Sequence, residues 1–201
     1  MSVFRSIVSP QSPSVITTSS TSAVYFAPTI TGGGAAVVFG ESSLTPQPTS
    51  QSNQGALCLP GNGQFDGVLF SVIAAGSMAF GAGEASTTGK VGLYLSTALP
   101  TQSPNYQTLM EMTVINQAQD GVYYPFFMKL DLQGSSASGL LQIVKYGLVD
   151  GASLVAPTQV TALTGINFQQ EPSMRFVCGV TFGASNPGNT GILSQFQITT
   201  Y

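Results

Sequence analysis

From residue 57 onward, apolar side chains recur at every second position. Phe126, Met128, Leu130 and Leu132 alternate with Phe127, Lys129 and Asp131. A period of two marks a strand with one buried face. Val68, Phe70, Val72 and Ala74 alternate with Leu69, Ser71 and Ile73, and Val91, Leu93 and Leu95 with Gly92 and Tyr94. Leu140 to Tyr146 is a further apolar run, which Leu148 and Val149 extend. Met174, Phe176, Cys178, Val180 and Phe182 fall on one face, and Ile192, Phe196 and Ile198 close the chain with Leu193, Gln195 and Gln197 opposite. Val68 to Gly83 reads as two strands meeting near Gly76 and Ser77, and one helical turn is expected over Gln107 to Met112. Asp120-Gly121, Gly134-Ser135, Asp150-Gly151 and Asn186-Pro187-Gly188-Asn189 supply turns between the runs. Many strands with some long connections, and no internal repeat, predict an all-β fold: a jelly-roll-like antiparallel β-sandwich over residues 57–201.

Residues 1–56 read differently. They are rich in Ser, Thr, Pro and Gln, with linker-like stretches such as SPQSPS and LTPQPTSQSNQ. Two short β-like patches, Ala23 to Ala27 and Ala35 to Phe39, lie on either side of Gly32, Gly33 and Gly34. Neither is long enough to make a core. The region is expected to be an extended N-terminal arm that lies on another surface, or a source of edge strands for the main domain. The opening MSVFRSIV places Phe4, Ile7 and Val8 as anchors for docking on a neighbouring subunit, for instance by adding a strand to its sheet edge. Tyr25, Phe26, Phe127, Asn186 and Asn189 complete the set of candidate assembly contacts.

Charge changes the picture most. The 201 residues hold five basic and eight acidic side chains, so 6% are charged, against about 25% in an average domain. Ser, Thr, Gln and Asn make up a third of the chain. A chain of this mass exposes roughly 9,000 Å², or about one charge per 700 Å². So sparse a surface is poorly suited to a free monomer and suits a subunit that buries much of itself in an assembly. With no His, Ser–His–Asp and Cys–His sites are absent from a single chain. Five cations are too few for phosphate neutralisation, so no nucleic acid is expected. At 43% hydrophobic residues, wholesale disorder is not expected. The longest apolar run, Val68 to Gly83, is too short and too rich in Gly to span a membrane. The chain start carries Arg5 as its one positive charge and no apolar h-region follows, so no signal peptide is expected.

Candidate chemistry is thin. GEASTTGKV, from Gly83 to Val91, has five residues between its glycines where a phosphate loop has four, and Val91 stands where the magnesium-binding hydroxyl belongs. Asp66, Glu84, Glu111, Asp120, Asp131, Asp150 and Glu171 form no recognisable catalytic pair. Lys129 and Asp131, two apart on one strand, are expected to form a solvated ion pair. Cys58 and Cys178 read as small buried hydrophobes rather than a disulfide or a zinc site. No enzyme, metal or cofactor is expected.

Several stretches carry a resemblance. FDGVLFSVIAAGSMAFGAG, GKVGLYLSTAL, YYPFFMKLDLQG, SGLLQIVKYG and MRFVCGVTFGASNPGNTGILSQFQITTY together resemble the β-sandwich decoration proteins of tailed-bacteriophage heads. Phe70, Val72, Ala74 and Gly76 match the first strand pattern, Phe176, Gly179 and Phe182 the penultimate one, and Leu193, Phe196 and Ile198 the last. The resemblance covers about residues 65–201 and lies in strand pattern rather than in functional residues. It implies a virion structural protein: a decoration or cement subunit, often a homotrimer, made in the host cytoplasm and seated on the outer capsid surface. Its partners would be the major capsid protein and its own copies. The rival expectations are a fibre or spike module that binds glycans, and a self-assembling jelly-roll coat protein.

Overall fold

In the computed structural model the described residues are 5–6, 14–17, 19–22, 24–26, 57–60, 69–84, 87–96, 107–116, 122–135, 140–149, 153–163 and 173–200. They form strands and connections, with no helix among them. The strands are β1 (Arg5–Ser6), β2 (Ser14–Thr17), β3 (Val24–Tyr25), β4 (Leu57–Pro60), β5 (Leu69–Ala79) and β6 (Thr88–Ser96). They continue with β7 (Gln107–Ile115), β8 (Tyr123–Ser135), β9 (Leu140–Val149), β10 (Ser153–Leu163), β11 (Ser173–Phe182) and β12 (Thr190–Thr200).

Two antiparallel sheets make a sandwich. The larger runs β1-β12-β5-β8-β9-β10, with β2 also on β12, and the smaller runs β3-β11-β6-β7, with β4 also on β11. Strands β5 and β6 cross from the larger sheet to the smaller, and β11 and β12 cross back. β12 pairs with β5 and β11 with β6, so the two crossings lie side by side, as in jelly-roll winding. The described parts of residues 1–56 add edge strands: β1 and β2 to β12, and β3 to β11. Of the two roles open to this region, edge pairing is what these residues adopt. The Ala35 to Phe39 patch lies outside the described residues.

The inward faces follow the alternation. Val72, Ala74 and Met78 of β5 meet Val91, Leu93 and Leu95 of β6, Phe126, Met128, Leu130 and Leu132 of β8, and Phe176, Cys178, Val180 and Phe182 of β11 in one core. This is the apolar burial that drives a sandwich together.

Four local expectations are corrected. Leu69–Ala79 is one continuous strand through Gly76 and Ser77. Gly76 is needed for close approach rather than for a turn: a Cβ there would lie 1.9 Å from the Ile192 carbonyl oxygen and 2.8 Å from Phe126. Gln107 to Met112 is strand, not helical turn, because Met110, Met112 and Val114 alternate inward against exposed Glu111 and Thr113. In β12 the core face carries Leu193 and Phe196, not Ile192 and Phe196. The register shifts between Leu193 and Gln195, and the extra residue of this bulge puts positions three apart on one face. Finally, β10 was not foreseen. Its Pro157 lies within a register shift between Val155 and Thr158, where a missing backbone donor is tolerated.

Candidate functional site

Two places stand out: the outer face of the larger sheet, and one end of the sandwich. On the outer face, cross-strand partners form rows. Ser77 lies between Pro125 of β8 and Ile192 of β12, and Ile192 pairs in turn with Val15 of β2. The next row is Phe127, Ala75 and Gln195, and the next is Lys129, Ile73 and Gln197. Ile73, Ala75, Phe127 and Ile192 are half-buried, and Val15 and Tyr123 are exposed at 58% and 53%. An antiparallel sheet with one solvated face normally turns polar residues outward. Here neutral and apolar side chains occupy the central strands. Among the described side chains of this face, charge is limited to one ion pair, Lys129 to Asp131 at 3.4 Å, as the spacing predicts. Asp131 also accepts a hydrogen bond from the Ser71 hydroxyl, and Gln195 and Gln197 bond each other at 3.2 Å.

At the end of the sandwich, the β5–β6 loop, the β11–β12 loop and the end of β7 are tied together by asparagines. Asn189 accepts from Gly81 N at 2.9 Å and donates to the Ala184 carbonyl at 2.9 Å. Asn186 donates to the Ala82 carbonyl at 3.1 Å and accepts from Gly188 N at 2.9 Å. Asn116 N donates to the Thr87 carbonyl, its side-chain amide donates to the Glu84 carbonyl, and its Oδ1 accepts from the Tyr124 hydroxyl at 3.0 Å. Below them Phe80 meets Tyr124 and Phe182 edge-on, with ring centroids 5.8 and 5.7 Å apart.

Glu84 sits in this cluster with an uneven distribution of bonds. Its backbone carbonyl accepts from Thr87 N, the Thr87 hydroxyl and Asn116 Nδ2. Its residue exposure is 9%, yet neither carboxylate oxygen has a hydrogen-bond partner among the described residues. The preceding Gly83 turns the chain with a φ of 80°.

The candidate contacts separate. Phe4, Ile7 and Val8 lie outside the described residues. Tyr25 is in β3, opposite Gly179. Phe26 is not a surface contact: at 2% exposure it belongs to the core, its backbone N bonds the Cys178 carbonyl, and its ring fills the space a side chain at Gly191 would need, 2.9 Å from that Cβ position. Asn189 is likewise spent inside the chain, with 0% exposure, and Asn186 is a half-buried loop clamp. Among the members whose side chains are described, Phe127 alone lies half-buried on the outer sheet face. Sequence reasoning did not single out Ile73 and Ile192 as half-buried residues of the same outer face as Phe127. It also missed Asn116, whose only signal is a polar residue at a strand end.

Other chemistry is sparse. Cys178 is free, and burial pushes its thiol far above the ordinary range against a smaller lowering by a hydrogen bond with the Gly179 backbone. Cys58 pairs through its backbone with Arg175. No group of three His, Cys, Asp or Glu side chains able to hold a metal occurs among the described residues.

No protein-family model and no curated protein matches the chain. Among solved structures it is similar to the carbohydrate recognition domain of Emp46p in its potassium-bound form, at 10% identity and TM-score 0.36, covering 65% of this chain and 70% of that one. It is similar to a legume lectin-like domain from Entamoeba histolytica at 7% identity and TM-score 0.33, covering 74% and 81%. A third is an immunostimulatory antigen and pseudo β-1,3-glucanase of Mycobacterium tuberculosis, at 10% identity and TM-score 0.26, covering 68% and 65%. At these scores no residue role is carried over.

Proposed function

We propose that this chain is a virion structural protein: a decoration or cement subunit that assembles with its own copies, as a trimer, on the outer face of a capsid shell. The observation that carries this reading is the apolar outer face of the larger sheet, built by Ile73, Ala75, Phe127 and Ile192 with one ion pair beside them. The low charge of the whole chain points the same way. A symmetric lattice sums many weak neutral contacts into high avidity, and burial of apolar surface supplies their free energy. Neutral contacts are little screened, so assembly is expected to be insensitive to salt over the range in which the fold survives.

The test is the absolute native mass of the purified chain by light scattering at low and high salt. The expected result is a species of three times the 20.8 kDa chain mass, unchanged by salt. A monomer at both salts would contradict self-association. The rival glycan-binding module rests on the exposed Tyr123 ring beside Pro125, and a reproducible hit on a glycan array would favour it.

A further inference from the structure

We propose that the Glu84 carboxylate is the anionic ligand of a hard, oxygen-seeking cation held at the asparagine-clamped end of the sandwich. The fold places this carboxylate inside, with both oxygens shielded from solvent, and sends the nearby donors elsewhere. Thr87 N, the Thr87 hydroxyl and Asn116 Nδ2 all go to the Glu84 backbone carbonyl, and neither carboxylate oxygen receives one. A buried ionised carboxylate is strongly disfavoured unless a counter-charge accompanies it. The described lysine side chains do not supply it: Lys90 is paired with Glu111 and Lys129 with Asp131.

A hard cation fits what is present. Calcium-type ions take carboxylate, carbonyl and amide oxygens together with water, and need no nitrogen or sulfur ligand. The loop that carries Glu84 also carries the Ala82 and Thr87 carbonyls. The Ala82 carbonyl accepts from Asn186 Nδ2 and the Thr87 carbonyl from Asn116 N, and a carbonyl oxygen has a second lone pair. A single carboxylate among neutral oxygens belongs to the weak end of calcium affinity, where ligand charge is low. The ion would join the β5–β6 loop to the end of β7 and the β11–β12 loop, which the three asparagines already hold together.

The test uses the full chain, treated with chelator and then titrated with Ca²⁺ or, separately, with K⁺, near neutral pH. Thermal unfolding and calorimetric titration are the readouts. The expected result is a saturable rise in Tm of about 5–10 °C with Ca²⁺, lost in Glu84→Gln, whose ion-free Tm equals or exceeds that of the ion-free natural chain. A saturable, Glu84-dependent rise with K⁺ alone would support the cation and make it monovalent. An equal response of natural chain and variant to both ions would overturn the proposal. So would a variant that is less stable than the ion-free natural chain, because a donor from the chain itself would then hold the carboxylate. If Glu84→Gln does not fold, calorimetry on the natural chain decides, and absence of binding heat for both ions overturns the site.

Discussion

The outer faces of the two sheets differ in kind. On the smaller sheet, β7 alternates from Met110 onward: Met110, Met112 and Val114 go inward, and Glu111, Thr113 and Ile115 outward, with Ile115 at 60% exposure at the strand end. Glu111 there holds Lys90 at 3.1 Å and accepts the Tyr94 hydroxyl at 3.0 Å. On the larger sheet, β5 is apolar on both sides over Val72, Ile73, Ala74 and Ala75, and its outward Ala75 and Ile73 lie opposite Phe127 and Lys129 across the ladder. A strand needs one apolar face to build a sandwich; the second implies a second contact. Under the proposed function the two layers have different surroundings, with water over the β7 edge and another protein surface over β5 and β8.

Core substitution sets the scale. Phe196→Ala, between the layers, is expected to cost about 3–5 kcal/mol by urea unfolding, whereas Phe127→Ala on the outer face is expected to cost the isolated chain about 1 kcal/mol or less. Equal costs would mean that Phe127 is core. Next comes Gly76→Ala. Its Cβ meets the Ile192 carbonyl across the ladder, and the expected loss is about 1–3 kcal/mol, read as a lower urea midpoint.

Cys178 sharpens the inner side of the same comparison. Burial raises its thiol pKa above the unfolded value, so the protonated form is favoured in the fold. This contribution is fully present below the ordinary thiol range and is lost as pH rises above it. In a Cys58→Ser background, Cys178 is expected to resist a thiol reagent at pH 8 until denaturant is added, and labelling of the native chain would contradict its burial. The smallest effect belongs to the polar face. Lys90→Ala breaks an exposed ion pair and is expected to cost about 1 kcal/mol or less, with native mass unchanged.

How far the sequence shows all this depends on the element. The two-layer antiparallel architecture and the core faces of β6, β8 and β11 were legible, because strict alternation over many residues has one physical reading. The face of β12 was not, since the bulge after Leu193 breaks the alternation without any composition signal. β7 was mistaken for a helical turn because QTLMEM carries good helix formers, and burial of Met110 and Met112 against Gly147 of β9 overrides that preference. Gly76 looked like a turn residue, although its small size serves a backbone that passes close by. The site was less legible still. The alternation with Phe126 and Met128 places Phe127 on the outward face of β8, where it is half-buried, but Phe26 and Asn189 need the fold to be seen as interior. Glu84 looked like a single loop acid, and only its burial without a donor distinguishes it.

The central claim is that the outer face of the larger sheet is a contact surface and the β7 face is not. Sedimentation velocity on the natural chain, Phe127→Lys and Thr113→Lys tests it most directly. A natural chain and Thr113→Lys that sediment as the same oligomer, with Phe127→Lys reduced to a folded monomer, is the predicted result. An oligomer that survives Phe127→Lys and dissociates in Thr113→Lys would contradict the account.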